Sequence, residues 1–509
     1  FGHGQIEGFE EKYGMEYRRA YYDEQVNTGL VERHRREIFP LMRLRRLFSG
    51  VENFLLYDFW TDGQVNENVF AWSNVHSDSR SLILYNNKYE RAAGWINMSA
   101  AYAVKGSGDE KQLVRRPLVQ GLQLTVTSNR FVIFQEQHSK LWFIRKNSEI
   151  AERGLFAALN GFETQVFLNI YEVTDTPDEL YRKLYETLNG SGIADVAMGI
   201  NEIKFKKLYD SLTVCVSKAI LENCIQLVKD CKHTKTRHEA ETHIQSFINK
   251  LEPLAAAFLT ALDETYRSNQ TEQFLVAGTP AVKTSVKQLL TLFRARMYRL
   301  LLCASGLLMQ EMPLTAATSA ETVFIHKMCG TASQLFVSFG SVFLMAIEDI
   351  AVYYKMEENI GRLFAFLHLE EKLTALIRSA GFDIDPIENK ADTVKYLYYV
   401  HNARGKKSIR RTGIVHRMAQ DPNVIIRLDI HEWDGIKWFY REAAEVLADD
   451  MAAMLFLSAA RPVTQAECIK KTAVAVEKYC RFNAEFSAAI HKSEYQVDRY
   501  LKLFAGTLK

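Results

Sequence analysis

The chain has almost no net charge, because 63 lysine and arginine residues offset 61 aspartate and glutamate residues and leave +2. This balance gives no overall electrostatic attraction to nucleic acids or to anionic membranes. We therefore expect neither a nucleic acid nor a membrane among the partners. A binding surface, if there is one, has to be built locally from neighbouring side chains.

Long apolar runs are also missing. The most apolar stretch, Leu335 to Ile347, has 13 residues and is interrupted by Ser338, Gly340 and Ser341, whereas a membrane-spanning helix needs about 20. We predict a buried core helix here. The first residues do not follow the pattern of a secretory signal, and because the chain begins with Phe1 we expect a fragment of a longer protein.

Cysteine is scarce and scattered. The seven cysteines form no close-set cluster, which favours reduced, buried thiols over a disulfide framework and predicts a cytoplasmic protein. Their positions are Cys215, Cys224, Cys231, Cys303, Cys329, Cys468 and Cys480.

Sequence patterns for common cofactors and metals are absent. There is no GxxxxGK phosphate-binding loop, and Gly2, Gly4 and Gly8 lack the spacing of the dinucleotide fingerprint. His238 and His243 are five residues apart, about 140° around a helix, whereas the zinc-protease motif places its two histidines four apart. We predict no cofactor and no metal, and we interpret the histidine region as a solvated loop leading into a helix.

Two charged segments remain open to more than one interpretation. Residues His401 to Arg417 contain six lysines or arginines; they could bind phosphate, but a solvated loop is the favoured interpretation. The carboxylates between Arg427 and Asp434 could serve sugar chemistry. The favoured interpretation is instead that Asp434 and Gly435 cap a helix from Ile436 to Ser458.

The 509 residues exceed what one hydrophobic core organises, so at least two domains are expected. A helix is predicted from Asn27 to Phe48, with a kink at Pro40. A β region follows, centred on a hairpin from Asn66 to Tyr89, while Ala92 to Gly121 has no clear assignment. The predicted strands are Phe54 to Phe59, Val69 to Trp72, Leu82 to Tyr85, Leu122 to Thr127, Phe131 to Gln135, Leu141 to Ile144 and Val166 to Tyr171. Such short strands indicate an antiparallel sandwich.

Helical patterns occupy the rest of the chain. Residues Thr176 to Glu179 match a capping box with proline at the first helical position, and Thr464 to Glu467 match a second box. An apolar stripe at helical spacing consists of Phe205, Leu208, Leu212, Cys215 and Ala219.

Parts of this amino-acid sequence resemble the α-amylase superfamily of glycoside hydrolases. The basic stretch Pro40 to Phe48 is similar to the last helix of the catalytic (β/α)8 barrel in that family. Val69-Phe70-Ala71 and the strand Leu82 to Asn86 resemble two strands of the β-domain that follows the barrel. Gly154 to Phe167 resembles the closing strands. The resemblance covers about residues 1 to 172.

The resemblance implies a domain order and a set of residues. Residues 1–50 would be the end of a (β/α)8 barrel, 51–175 an antiparallel β-sandwich domain and 176–509 an all-α helical domain. Gln5 and Glu7 would lie at the substrate rim, by similarity of Phe1 to Gly8 to the exit of the eighth barrel strand. The three catalytic carboxylates would precede Phe1, so this fragment alone is expected to be inactive.

Three hypotheses on function follow. The first is the C-terminal portion of an α-glucan-active glycosidase or transglycosylase. The second is a helical protein-interaction or oligomerisation module with the β-domain as a spacer, its partner surface formed by aromatic residues from Tyr396 to Tyr399 and from Trp433 to Tyr440. The third is glucan binding by a tryptophan platform formed by Trp60, Trp72 and Trp95, with Trp142 as a further candidate.

Overall fold

A computed structural model describes residues 4–10, 21, 23–105, 111–268, 286–308, 319–354, 360–395 and 420–506. The chain divides into two compact units, residues 1–204 and residues 205–509. The first unit contains an antiparallel sheet with short helices, and the described part of the second is helical apart from one small hairpin. The predicted combination of an antiparallel β region and a large helical region is confirmed.

The N-terminal helical region consists of three short helices, where the sequence predicted one. They are α1 (Thr28–Glu37), α2 (Phe39–Arg43) and α3 (Arg45–Phe48). The Asn27 side chain caps α1 by accepting a hydrogen bond from the backbone N–H of Leu30 at 3.0 Å. Pro40 lies in the first turn of α2, where its missing N–H costs nothing, so it marks a helix start and not a kink.

The first unit contains eleven described strands, listed here in chain order. They are β1 (Phe54–Thr61), β2 (Gln64–Val65), β3 (Val69–His76), β4 (Ser79–Asn86), β5 (Ala92–Ser99), β6 (Tyr102–Lys105), β7 (Lys111–Val114), β8 (Arg130–Glu136), β9 (Trp142–Lys146), β10 (Leu155–Leu159) and β11 (Thr164–Thr174). The main sheet has the order β10-β5-β1-β3-β4-β11-β8-β9, with β2 paired to β1, and β6 and β7 form a separate hairpin.

The predicted hairpin is confirmed as β3 and β4, which pair from Val69 with Asn86 to His76 with Ser79. The strand predicted from Leu122 to Thr127 is wrong, because a short helix, α4 (Leu118–Gly121), is followed there by irregular chain. The side chain of Asn147 holds this irregular chain by donating to the carbonyl of Thr125 at 2.9 Å.

The sheet is curled, and its inner face holds the core of the first unit. Leu55, Tyr57 and Phe59 of β1 point inward with Leu82 and Leu84 of β4. Helix α5 (Asn147–Arg153) joins the two end strands β9 and β10, and with α4 it packs on the inner core. The barrel remnant and the two-sheet sandwich stay predictions.

The outer face carries two helices at the β8 and β9 side. Helices α6 (Leu180–Leu188) and α7 (Val196–Lys204) form with Phe131, Ile133 and Ile144 a second small core. The predicted helix start is three residues too early, because the capping box puts the first helical residue at Pro177 whereas α6 begins at Leu180 and Thr176 to Glu179 form a turn. In that turn the Thr176 hydroxyl accepts from the N–H of Leu180 at 3.1 Å.

The second unit is described by thirteen helices. They are α8 (Lys206–Cys215), α9 (Lys218–His233), α10 (Arg237–Ser268), α11 (Val286–Ala304), α12 (Ser319–Cys329), α13 (Ala332–Tyr353), α14 (Ile360–Leu367), α15 (Leu369–Ser379), α16 (Glu388–Val394), α17 (Pro422–Arg427), α18 (Arg441–Ser458), α19 (Gln465–Lys492) and α20 (Val497–Gly506).

Helix α13 runs through the centre of this unit, with Phe336, Phe339 and Phe343 fully buried. The core helix predicted from Leu335 to Ile347 is confirmed. Two segments, Lys206–His233 and Ala332–Tyr353, are long and apolar enough to cross a membrane by length and composition alone, and 89% of the apolar window of the second is buried. Such burial is typical of a core helix in a soluble protein; a cytoplasmic location stays a prediction.

The predicted apolar stripe is confirmed up to Cys215, since Phe205, Leu208 and Leu212 are also buried. Helix α8 then ends at Cys215, and Ala219 is exposed in the next helix, α9. The predicted start of α19 after Thr464 is confirmed, although Thr464 makes no side-chain capping hydrogen bond. All seven cysteines are free thiols, and five of them are buried.

The predicted helix cap at Asp434 and Gly435 is wrong. Both residues have positive φ, 53° and 72°, and form the turn of a hairpin between β12 (His431–Trp433) and β13 (Ile436–Trp438). Asp-Gly is a strong sequence signal for such a two-residue turn. Helix α18 begins only at Arg441. The basic segment from His401 to Arg417 and the aromatic residues Tyr396 to Tyr399 lie outside the described residues.

Candidate functional site

Trp60 and Trp95 lie side by side on the outer face of the main sheet. They are paired directly across β1 and β5, and 36% of each residue is exposed. Residues paired in this way hold their Cβ atoms about 5 Å apart, so the two indoles form neighbouring parts of one surface.

Phe156 on β10 extends this pair. It is opposite Trp95 in the β10 and β5 register, and the two ring centroids are 5.3 Å apart at 63°. Phe156 is 51% exposed, although side chains of this size are usually buried in cores. Trp60, Trp95 and Phe156 thus form a row across three adjacent strands, which we call the aromatic row.

Strand alternation explains why these rings face outward. Successive side chains of a strand point to opposite faces, and in β1 the buried positions Tyr57 and Phe59 alternate with the more exposed Asp58 and Trp60. The apolar sequence of β1 therefore has an apolar outer face as well as an apolar inner face. The exposed rings of Trp60, Trp95 and Phe156 therefore form an apolar patch on the outer face.

Trp72 is on the same face but in a different environment. It is opposite Leu56 of β1 and Ile83 of β4, and it is half-buried. Leu56 precedes Trp60 by four residues, about 13 Å along the strand. Phe70, two residues before Trp72, is 46% exposed. The predicted platform of three tryptophans is therefore one close pair with a separate third ring.

Polar groups lie beside the aromatic row. Asp58 shares the outward side of β1, and its carboxylate forms an ion pair with Arg115 at 3.1 Å. Flat aromatic rings with hydrogen-bonding groups at their margin can hold a ligand that has both apolar and hydroxyl surface.

Glycine is required beneath the row. A Cβ atom on Gly94 would lie 2.2 Å from the backbone oxygen of Trp60 and 2.8 Å from the ring of Phe59. The close approach of β5 to β1, which brings Trp95 beside Trp60, therefore depends on the missing side chain at residue 94.

Gln5 and Glu7, the predicted substrate-rim residues, lie in the turn that precedes α1. In that turn the N–H of Gly8 donates to the carbonyl of Gly4 at 2.8 Å, and the N–H of Asn27 donates to the carbonyl of Glu7 at 2.8 Å. Gly4 and Gly8 both have positive φ, a conformation that glycine adopts readily in close turns. The substrate-rim role of these residues stays a prediction.

Trp142 belongs to a different part of the sheet. Its ring is 6.0 Å from that of Tyr171, and it packs against the small core under α6 and α7. Its backbone also pairs with Ile193. Trp142 is therefore separate from the aromatic row.

Phe156 and Phe70 are the members of this face that the sequence interpretation missed. One sequence signal was available for Phe156. The alternation in Leu155 to Leu159 places Phe156 opposite to its buried neighbours.

Glycoside hydrolysis uses two carboxyl groups placed across the scissile bond. Next to the aromatic row, the carboxylate of Asp58 is paired with Arg115. Among the described residues, no group of three or more histidine, cysteine, aspartate or glutamate side chains could hold a metal ion.

Comparisons with known protein families, with curated proteins and with solved structures find no match to this chain.

Proposed function

We propose that the first unit binds α-glucan chains through its aromatic row, as a supporting module of an α-glucan-active glycoside hydrolase or transglycosylase. The observation that carries the proposal is the exposed row of Trp60, Trp95 and Phe156 on three neighbouring strands. The resemblance of residues 1 to 172 to the α-amylase superfamily supplies the substrate class.

The physical argument concerns the shape and polarity of a sugar ring. A pyranose has a flat face of C–H groups and a rim of hydroxyl groups. Aromatic side chains offer a large rigid apolar surface for the first, and groups such as Asp58 accept hydrogen bonds from the second. A row that crosses three strands spans about 10 Å, since neighbouring strands are about 4.8 Å apart. It therefore fits an extended chain better than a single small molecule.

In this proposal the catalytic carboxylates belong to a barrel that precedes Phe1, and Gln5 and Glu7 would lie at its rim. The coding sequence upstream of Phe1 tests this part. It should encode barrel strands that end in an aspartate, a glutamate and an aspartate, and their absence would overturn the assignment to this superfamily.

Affinity electrophoresis of the full chain tests glucan binding. The protein should migrate more slowly in a gel containing amylopectin or glycogen than in a gel without polysaccharide. Trp60→Ala and Trp95→Ala should each weaken the retardation by roughly tenfold, as expected for the loss of 1 to 2 kcal/mol of ring contact. Unretarded migration of the unchanged protein would refute the proposal.

Trp433→Ala is the matched control. Trp433 is 70% exposed, more than Trp60 or Trp95 of the aromatic row, but it lies on the β12–β13 hairpin of the second unit. Its replacement should leave the retardation unchanged. Equal losses in all three variants would show nonspecific adhesion of exposed rings to the polysaccharide.

A second candidate function is self-association through the second unit. The observation that favours it is a set of exposed apolar side chains around the β12–β13 hairpin, namely Trp433, Ile426 at 77% and Tyr440 at 57% exposure. Light scattering after size-exclusion chromatography should then give at least a dimer for the full chain. A monomer at all concentrations, with Trp433→Ala behaving identically, would rule this out.

A further inference from the structure

We infer that Asn189 is a site of spontaneous deamidation, in the turn that follows α6, and that the fold protects the other Asn-Gly pair of the chain. The two pairs are Asn160-Gly161 and Asn189-Gly190. Asparagine before glycine is prone to this reaction, because glycine has no Cβ atom to keep its backbone nitrogen away from the asparagine side chain. The two pairs are equivalent in sequence, but their surroundings in the structure differ.

The reaction needs no co-reactant other than water. The backbone nitrogen of the glycine loses its proton to water and attacks Cγ of the asparagine side chain. The bond from Cγ to the side-chain nitrogen breaks, ammonia leaves with a proton from the solvent, and a five-membered succinimide ring remains. Water then opens the ring at one of its two carbonyl carbons, which gives aspartate or isoaspartate. The rate depends on how readily the nitrogen and Cγ reach each other.

The peptide group between Asn189 and Gly190 has few restraints. Asn189 follows α6 in the left-handed conformation, with φ 43° and ψ 46°, and Gly190 has a φ of 90°. Within the described part of the chain, neither the carbonyl of Asn189 nor the N–H of Gly190 makes a hydrogen bond, and the exposed Asn189 side chain makes none either. The space beside Gly190 is open, since a Cβ atom there would meet nothing closer than Arg145 at 3.6 Å.

The peptide group between Asn160 and Gly161 is held by several contacts. Its carbonyl accepts a hydrogen bond from Nδ2 of the buried Asn86 at 2.9 Å and another from the N–H of Glu163 at 3.3 Å. The backbone nitrogen and the side-chain nitrogen of Asn160 both donate to Oε2 of Glu163 at 2.7 Å. A Cβ atom on Gly161 would lie 2.1 Å from the carbonyl oxygen of Tyr89, so this glycine has little room to rotate.

These contacts set the expected ratio of the two rates. Asn160 must give up the hydrogen bond of its side chain to Glu163 before the ring can close. One charge-assisted hydrogen bond lost on the way to the transition state slows a reaction by at least about tenfold. We therefore expect Asn160 to deamidate about tenfold more slowly than Asn189, or slower still.

Deamidation at Asn189 would change how the turn is attached to the sheet. Isoaspartate adds one carbon atom to the main chain before Gly190, whose carbonyl accepts a hydrogen bond from Nη2 of the half-buried Arg145 at 3.0 Å. Further along the turn, Ile193 pairs with the backbone of Trp142. Isoaspartate should therefore loosen α6 and α7 from the small core that they form with the sheet. The inference is independent of glucan binding.

Peptide mass spectrometry of the full chain, aged at 37 °C and neutral pH, tests the inference. Trypsin releases the two pairs in separate peptides, residues 154–182 and residues 184–204, and fragment ions locate the residue that has changed from amide to acid. The acid should accumulate at Asn189 about tenfold faster than at Asn160. Equal rates at the two pairs, or no acid at Asn189, would overturn the inference.

Ageing in denaturing urea separates the effect of the fold from that of the sequence. Without the contacts of Asn160 and Gly161, both pairs should react at similar rates. A difference that persisted in urea would assign it to the neighbouring residues and would also overturn the inference.

Glu163→Ala removes the carboxylate that holds Asn160 and should raise the rate there by about tenfold, with no change at Asn189. Glu152→Ala, at an exposed residue of α5, is the matched control and should alter neither rate. Circular dichroism checks that both variants fold. An unchanged rate at Asn160 in Glu163→Ala would contradict the assigned protection.

Discussion

Replacement of Glu348 by glutamine should change how the stability of the second unit depends on pH. Glu348 lies on the central helix α13, is only 5% exposed, and its Oε2 has no hydrogen-bond partner among the described residues. Burial, followed by repulsion from Asp349, raises its pKa from 4.5 to about 8, while Arg296 and Arg461 oppose the rise. The folded protein therefore keeps this carboxyl protonated at neutral pH.

The sign and size of the effect follow from linkage between protonation and folding. Between pH 4.5 and about 8 the folded chain binds one more proton than the unfolded chain, so the free energy of unfolding falls as pH rises through this window. The slope is about 1.4 kcal/mol per pH unit, and the full loss is on the order of 5 kcal/mol. Glutamine has the shape of the neutral acid and no charge to desolvate, so Glu348→Gln should remove this slope.

Urea denaturation at several pH values between 5 and 8, monitored by circular dichroism at 222 nm, measures how the free energy of unfolding depends on pH. The variant and the unchanged protein should be similar at pH 5, and the variant should be the more stable one at pH 8. Glu477→Gln, an exposed replacement on α19 at a residue that pairs with Arg481, should leave the slope unchanged. Parallel curves for Glu348→Gln and the unchanged protein would refute the reasoning.

Two further replacements test single contacts. Asp450→Asn should destabilise the second unit by about 3 to 5 kcal/mol, seen as a lower urea midpoint, because its buried carboxylate is the partner of both Lys390 and Arg427; an unchanged midpoint would contradict this. Gly94→Ala should destabilise the first unit by about 1 to 3 kcal/mol and reduce retardation by glucan, since the added Cβ meets the backbone oxygen of Trp60; full retention of both properties would contradict the proposed spacing.

Local signals in the sequence were sufficient for the hairpin of β3 and β4. β-branched and aromatic runs on both sides of a polar turn specify this pairing without help from the rest of the chain. The same reasoning failed at Leu122 to Thr127, where tertiary contacts such as the hydrogen bond from Asn147 to Thr125 determine the conformation. It also failed at Asp434 and Gly435. These residues form the turn of the β12–β13 hairpin and do not cap a helix.

The candidate site was only partly predictable for a related reason. Trp60 and Trp95 were individually visible as tryptophans in a β region. Their direct pairing was not, because β5 lies in a stretch with no clear strand pattern and pairs with β1 more than thirty residues earlier in the chain. Long-range register depends on the whole sheet, so Phe156 entered the row only through the structure.

The strand order of the first unit has a consequence for synthesis on the ribosome. β3 and β4 are joined by a two-residue turn and can pair as soon as both have emerged. The other side of β4 pairs with β11, whose residues Thr164 to Thr174 are made about 80 residues later, some 4 to 16 s at ordinary translation rates. During that interval the backbone N–H and C=O groups of β4 are open to any neighbouring nascent chain. The yield of folded protein should therefore depend on how quickly translation passes residues 87 to 174.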